Sequence, residues 1–392
     1  MIPRHASDTA QRLAQGFPIV AITGPRQSGK TTLARAVFPK HAYVSLEDPD
    51  HRTFATEDPR GFLDHFTAGL IIDEAQRCPS LFSYLQSRVD AEPHMGRYVL
   101  TGSQQLGLSA GIHQSLAGRV ALIHLLPLSI AELNAAGRRP HSLDQQLFQG
   151  GYPAIYDRDL EAGTWLAQYI ATYLERDVLE LLRIRHLDLF GRFVRLAAAR
   201  TGQLLNLSTL ASDCGISHVT AREWLAVLEA SYLFTRLPPF FRNFGKRLVK
   251  HPKLYCLDVG LAAWLSGIRD VDSLAVHPMR GALFETLMVS ELMKTAFNQA
   301  KPNDLHFWRD HRGEEIDVVI ERNGVLQAME FKSGATVASD WFKPIKRWQA
   351  LADRPTPTPI LVYGGNTAQR REGVQILPWH EALMAQTTSE KP

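Results

Sequence analysis

The sequence predicts a multidomain α/β chain on three observations. An apolar, β-rich run at residues 18–23 gives way at once to a glycine-containing turn and a helix, the opening unit of a parallel sheet. Between Leu128 and Leu189 the apolar spacing is helical, with a break at Gly150-Gly151-Tyr152-Pro153. Near the C-terminus, behind an amphipathic helix opening at Gly281, two alternating strands meet at Asn323-Gly324. A chain of 392 residues is too long for one small core and suits two or three domains.

With 45% hydrophobic and 21% charged residues, the composition excludes disordered, collagen-like and disulfide-stapled classes. The 43 basic residues against 40 acidic leave a formal charge of +3, so a nucleic-acid partner has to be met by a local patch. Cys78, Cys214 and Cys256 lie far apart, form no CxxC pair and suggest a reducing compartment. The N-terminus lacks the apolar stretch of a secretory signal, and the most apolar run, Val120–Ile130, is interrupted by His124 and Pro127. No membrane partner and a cytoplasmic location are therefore expected.

The first segment, 1–127, reads as a nucleotide-hydrolysing core. After the 18–23 strand comes Gly24-Pro-Arg-Gln-Ser-Gly29-Lys30-Thr31, the G-x-x-x-x-G-K-T pattern in the strand-loop-helix context it requires. Backbone amides of Gly24, Gln27, Ser28, Gly29, Lys30, Thr31 and Thr32 are placed to curl around the phosphates of ATP at a helix N-terminus. Lys30 reaches the β- and γ-phosphates, and the Thr31 hydroxyl suits Mg²⁺. A buried-strand pattern, Gly69-Leu-Ile-Ile-Asp-Glu74, ends in two acids: Asp73 to hold the magnesium, and Glu74 to orient the attacking water. On the next strand, Thr101 or Ser103 is positioned for the γ-phosphate or the water, or simply caps the turn. Arg119, in Ala117-Gly118-Arg119 before the 120–126 strand, either stabilises a transferring phosphoryl group or is a surface arginine.

Together GPRQSGKTTLA, LIIDEAQRCPSL, YVLTGSQQL and SLAGRVALIHLLPLS resemble successive motifs of a family of bacterial and archaeal AAA-superfamily ATPases. That family pairs the ATPase with a C-terminal nuclease-like domain, and the resemblance runs from about Phe17 to Tyr363. It implies an AAA-type P-loop core with a five-stranded parallel sheet and assembly as a homo-oligomeric ring, a hexamer among the forms in view. It also makes Arg119 the preferred arginine finger.

Residues 128–189 read as a helical lid or linker, in which Arg176 is a candidate sensor of the nucleotide or the partner of an adjacent acid. A winged-helix module is expected over 190–265. Ser208 is expected to cap a short helix, Cys214-Gly215-Ile216 to make the turn, and Ser217 or His218 to start a second helix. Val219, Trp224, Leu225 and Leu228 are expected in its core, leaving Ser217, His218, Thr220, Ala221 and Arg222 for DNA. Thr235–Lys253 then carries Arg236, Arg242, Lys246, Arg247, Lys250 and Lys253 without an acid, interleaved with Phe240, Phe241 and Phe244. Such a basic hairpin suits phosphate contact or stacking on bases, or else packs its phenylalanines inward.

In the last segment, 266–392, the Asn323-Gly324 turn sets a register in which Asp317 lies opposite Glu330, and Glu315 opposite Lys332. Alternation puts Ile316, Val318, Ile320, Met329 and Phe331 on one face and Asp317, Glu330 and Lys332 on the other. Opposed carboxylates repel unless a cation sits between them, and a neighbouring lysine completes a set for Mg²⁺-assisted phosphodiester hydrolysis, or else these charges pair with one another. The pattern resembles the restriction-endonuclease-like (PD-(D/E)xK) superfamily, in which Glu285 supplies the helix carboxylate. The whole reads as an Mg-ATP-driven motor acting on DNA: a translocase, helicase or junction-remodelling ATPase with a nuclease-like DNA-binding domain. The alternatives are an ATP-gated nuclease in repair or defence and a nucleotide switch binding a protein partner.

Overall fold

Five apolar runs become the strands of one parallel sheet: β1 (Ile19–Thr23), β2 (Ala42–Ser45), β3 (Leu70–Asp73), β4 (Tyr98–Gly102) and β5 (Val120–His124). Their spatial order is β2-β3-β4-β1-β5, and every pairing is parallel. The computed structural model describes residues 1–103, 115–174, 187–240, 249–322, 324–352 and 356–382. It divides into one unit of residues 1–128, 230–232 and 296–302, and another of 129–229, 233–295 and 303–392.

In the first unit both sheet faces are covered, which is why the inner strands β1, β3 and β4 are buried along nearly their whole length rather than alternating. On one face Ile19, Ala21, Ile72 and Leu100 pack under Phe62, Phe82 and Leu85. On the other, Val20, Ile22, Val99 and Ile123 meet Ala6 and Ala10 of the helix Ala6–Ala14, and Leu33 and Ala34 of the helix Lys30–Val37. Parallel pairing brings the carboxyl ends of β1, β3 and β4 to a common edge, where ligands of such sheets bind.

The second unit contains a helix pair, Leu207–Cys214 and His218–Ala230, joined through Gly215 in the left-handed conformation. Three antiparallel strands accompany the pair: β6 (Gln203–Leu204), β7 (Phe234–Leu237) and β8 (Lys253–Cys256), with β8 central. Three expectations are corrected here. Asn206, not Ser208, caps the first helix, its side chain accepting from the Thr209 amide at 3.0 Å, because the helix begins two residues earlier than a Ser208 cap requires. Val219 is 58% exposed, while Ala221 is fully buried with Trp224, Leu225 and Leu228. That set is spaced i, i+3, i+4, i+7, which excludes position 219 from the core and Ala221 from the exposed face.

The remaining strands are β9 (Leu305–Arg309), β10 (Glu315–Arg322), β11 (Val325–Lys332), β12 (Ile360–Tyr363), β13 (Gln369–Arg371) and β14 (Val374–Pro378). They form a mixed sheet ordered β13-β14-β12-β11-β10-β9. The β10–β11 hairpin has the register set by its turn, from Arg322 opposite Val325 to Val318 opposite Met329. Toward β9, however, Ile316 pairs with Trp308 and Val319 with His306, so two residues of β10 oppose one of β9. This bulge resets the alternation. Ile316 packs with Val319, Leu326 and Ala328 against Phe342, Ile345 and Trp348, instead of sharing a face with Val318, Ile320, Met329 and Phe331. These last four are buried as well, so the hairpin has two apolar faces and not one.

Trp348 is fully buried in this cluster, and its indole Nε1 has no hydrogen-bond partner among the described residues. Trp348→Ala should destabilise the chain by about 3–5 kcal/mol. Trp348→Phe, which keeps a ring and removes the unpaired N–H, should cost clearly less. Urea unfolding of both variants followed by circular dichroism checks the order.

Candidate functional site

Between the end of β1 and the helix starting at Lys30, residues 24–29 close a tight loop. Gly24, Gln27 and Gly29 have φ of 152°, 66° and 93°. A Cβ on Gly24 would lie 2.1 Å from the Leu125 carbonyl oxygen, so the chain needs glycine there. Gln27 holds a left-handed conformation without that licence, a local strain of the kind found at ligand-binding loops. Ser28 Oγ is buried without a hydrogen-bond partner among the described residues, a polar vacancy an anion would satisfy. Thr32 is exposed in the helix's first turn.

Lys30 is 6% exposed and donates to the carbonyls of Gly24 at 3.1 Å and Pro25 at 2.8 Å. Burial pulls its pKa down to about 8, against the opposing pull of Glu74 and Asp73. Asp73 accepts from the hydroxyls of Thr31 at 2.9 Å, Tyr43 at 2.9 Å and Thr101. Neighbouring oxygen ligands of an octahedral magnesium are also about 2.9 Å apart, so Thr31 and Asp73 fit that ion. Glu74 sits one residue on at φ 53°, taking hydrogen bonds from Ser103 Oγ at 3.1 Å and from the Gln76 amide.

Three contributors were not legible in the sequence. Arg4 donates to the backbone carbonyls of Ser28 and Leu126, each at 2.6 Å, bracing the loop from the N-terminal segment. Tyr43 reaches Asp73 from the adjacent strand, and that bond together with burial pushes its pKa up to about 12. Thr23, the residue before the loop, bonds Tyr232 at 2.7 Å and His124 at 2.9 Å; burial lowers the His124 pKa to about 4, keeping the ring neutral. No motif spacing marks these residues, because each comes from a different element.

Arg119 forks onto Asp90 with bonds of 2.6 and 2.8 Å. It precedes Val120, which pairs with Ile19, so it lies at the amino edge of the sheet, opposite the loop that follows Thr23. Arg176 lies outside the described residues.

In the second unit, the carboxylates that come together are Glu285, Glu315 and Asp317, with one oxygen from each mutually within 4.8 Å. The Lys253 ammonium, 2% exposed, contacts Glu285 at 2.7 Å, Glu315, and Asp317 at 3.9 Å. Glu330 is bonded instead to Lys332 at 2.6 Å, and Phe331 N donates to Asp317 at 2.8 Å. The predicted set of Glu285, Asp317, Glu330 and Lys332 is thus adjacent, but Glu330 stands outside the tight group and Glu315 inside it. Burial, and then the charge of Asp317, push Glu285 up to about 7 and Glu330 up to about 8. Burial also raises Asp317, whereas Lys253 is held above its usual range by Glu285, Asp317 and Glu315 despite burial. A cleft of about 510 Å³ opens over Asp317, Glu330 and Lys332, rimmed by Arg309, Arg312, Lys343 and Arg347.

Of the expected DNA contacts, Ser217, His218 and Arg222 are exposed at the start of the second helix, and Thr220 is half-buried. Ser217 Oγ accepts from the Thr220 amide at 3.0 Å, and Arg222 lies 3.3 Å from the His218 ring. Lys250 is exposed, while Arg242, Lys246 and Arg247, with Phe241 and Phe244, lie outside the described residues. Of the two alternatives for the phenylalanines, Phe240 takes the inward one, packing in the core with Trp308, its backbone bonded to Phe307. One hairpin expectation is corrected: Lys253 serves the carboxylate cluster. Arg236 is neutralised by Glu229.

A family model described as an AAA domain matches residues 16–134. Two described as domains of unknown function, DUF8612 and DUF4143, match residues 140–272 and 280–382. An uncharacterized protein of Mycobacterium tuberculosis (strain ATCC 25618 / H37Rv) is 33% identical over 338 residues, covering 85% of this chain and 74% of its own length. One of Mycobacterium bovis matches to the same extent. Among solved structures, a Walker-type ATPase of Pyrococcus abyssi is 16% identical, with 68% of this chain and 96% of that one covered and a TM-score of 0.46. The ORC2 protein of Aeropyrum pernix in its ADP form is 16% identical, covering 60% and 87%, with a TM-score of 0.35. No described helix is long and apolar enough to cross a membrane.

The depressed Lys30 pKa has a measurable consequence. The free loop carries a full ammonium only below about pH 8, whereas bound phosphates would hold the proton to higher pH. Binding therefore takes up a proton above that point. Nucleotide affinity should be complete at pH 7 and fall as pH rises through 8, by up to about tenfold per unit. Titrating a fluorescent ADP at pH 7, 8 and 9 checks this, and Lys30→Ala should bind weakly without that pH dependence.

Proposed function

The chain belongs to the AAA-superfamily ATPase family that includes these mycobacterial relatives, and on that premise we propose that it hydrolyses Mg-ATP to drive work on DNA. The observation that carries the hydrolytic half is the side-by-side delivery of Thr31, Asp73, Thr101 and Glu74 at the loop's mouth. Backbone amides of Gly24, Gln27, Ser28, Gly29, Lys30, Thr31 and Thr32 cradle the phosphates, with Lys30 neutralising the β- and γ-groups. Magnesium, held by Thr31 and Asp73, supplies charge neutralisation when bound. Glu74, fixed by Ser103 and Gln76, orients and polarises the lytic water, and Thr101 steadies Asp73.

Arg119 completes the site from a neighbouring subunit. Its place at the sheet edge away from its own loop supports action in trans, and hence a homo-oligomeric ring, for which a hexamer is one form. DNA is met by the second helix of the helix pair through Ser217, His218, Thr220 and Arg222, and by the wing cations Arg242, Lys246, Arg247 and Lys250. The exposure of Ser217, His218, Arg222 and Lys250 supports this, because those side chains are available to phosphates and base edges. At the rim of the C-terminal cleft Arg309 and Arg347 are paired with Glu315 and Glu314, and Arg312 and Lys343 beside them offer a second surface for a polyanion. Translocation, unwinding and junction remodelling all belong to this reading.

The test is steady-state ATP hydrolysis without DNA and with single-stranded, duplex or four-way-junction DNA. One DNA form should stimulate turnover, with binding that weakens steeply as salt rises. Glu74→Gln should lower turnover about a hundredfold or more while retaining nucleotide. Turnover indifferent to every DNA, with no salt-sensitive binding, would replace the DNA motor by a switch acting on a protein partner. Arg119→Ala should cost about 10³-fold in turnover. Mixing it with Lys30→Ala should restore part of the activity, since the latter lends its arginine to an intact loop; no rescue would rule out action in trans.

A further inference from the structure

A nuclease-like C-terminal unit implies a divalent cation among its acids, and the donor set here does not fit one. Three observations stand against it. First, the place among Glu285, Glu315 and Asp317 is already taken by an ammonium: Lys253 Nζ bonds Glu285 at 2.7 Å and Glu315, and lies 3.9 Å from Asp317. Second, most of the remaining oxygens are committed. Asp317 Oδ2 takes the Phe331 amide, Glu330 takes Lys332, Glu315 Oε2 takes Arg309 at 2.9 Å, and Glu285 Oε1 takes the Tyr255 hydroxyl beside Lys253. Third, Lys253 is not a mobile surface lysine. It is 2% exposed, on the central strand of its sheet, with Leu237 paired on one side and Leu204 on the other.

We propose that Lys253 is the resident cation of this cluster, so that the cluster clamps β8 and neither binds magnesium nor supports DNA cleavage. Lys253 and Tyr255 are two apart on β8, so they share a face, and both meet Glu285. The strand thus docks onto the acids through two side chains at once. The four carboxylates face three cations, Lys253, Lys332 and Arg309, within the cluster itself. A second, divalent charge at the same point would face the fixed ammonium at contact range, and the strand pairing holds that ammonium in place. The inference rests on this geometry alone and stands independently of whether the chain acts on DNA.

Manganese binding to the nucleotide-free, full-length chain tests it, with bound ion counted from the loss of the free-ion electron paramagnetic resonance signal. The wild-type chain should hold no manganese that Asp317→Asn removes. Lys253→Met, verified as folded by circular dichroism, should gain one manganese per chain, and Lys253→Met with Asp317→Asn should lose it again. A wild-type manganese site abolished by Asp317→Asn would overturn the proposal, and that comparison needs no lysine variant. A folded Lys253→Met that gains no ion would overturn it equally. Thr31 and Asp73 are intact in all these chains, so ATP turnover reports separately on the first unit.

Discussion

The parallel pairing of β1 between β4 and β5 is the constraint on which the ATP site depends. A parallel strand needs neighbours on both sides and crossover segments on both faces, so all five residues of β1 are buried. The same pairing sets Gly24 under the Leu125 carbonyl, because Leu125 continues β5 and donates to Thr23 at 2.7 Å. It also brings Asp73, at the end of β3, within reach of hydroxyls from Thr31 and Thr101, which come from the loop helix and β4. A one-residue slip of β3 would turn Asp73 to the opposite face of the sheet and disperse the site.

The second unit is governed by a different constraint, the matching of buried charge. Asp317 and Glu330 are nearly buried on a hairpin whose two faces are both apolar, where an unmatched carboxylate would be costly. The bulge in β10 falls at Asp317 and Val318, so the strand's alternation is broken where the acids gather. Relief comes from outside the hairpin: Lys253 and Tyr255 arrive from the β6-β8-β7 sheet. The β6-β8-β7 sheet and the C-terminal sheet are thereby joined by ion pairing as well as by the backbone bonds of Phe240 to Phe307. Removing one partner of such a set leaves charge buried without compensation, the expensive direction of change.

Much of this was legible where the informative residues are contiguous. The strand, the loop from Gly24 to Thr31 and its helix form one unbroken stretch, as do Asp73 and Glu74 at the end of an apolar strand. The hairpin register was legible because a two-residue turn leaves no freedom in pairing, and Val318 does face Met329. Misreadings arose where periodicity had to be phased without its partner surface. Val219 and Ala221 are two apart on one helix, and only the packing of Trp224 and Leu228 decides which of them is inside. In β10 the alternation was sound up to the bulge, which the facing strand β9 imposes.

By itself the sequence determined the chemistry that neighbouring residues carry: the phosphate loop, the paired acids after β3, the helix pair with its glycine turn and the Asn-Gly hairpin. Bond geometry and strand period bring such residues together before any long-range contact forms. Tertiary structure alone decided what comes from afar. It brought Arg4 to the loop, Tyr43 to Asp73, Tyr232 to Thr23, and Lys253 into the acids that seemed made for a metal. Lys253 reads as one more cation in a basic stretch because charge pairing acts through space. Whether an ammonium meets DNA or a buried carboxylate depends on which side of β8 the fold covers.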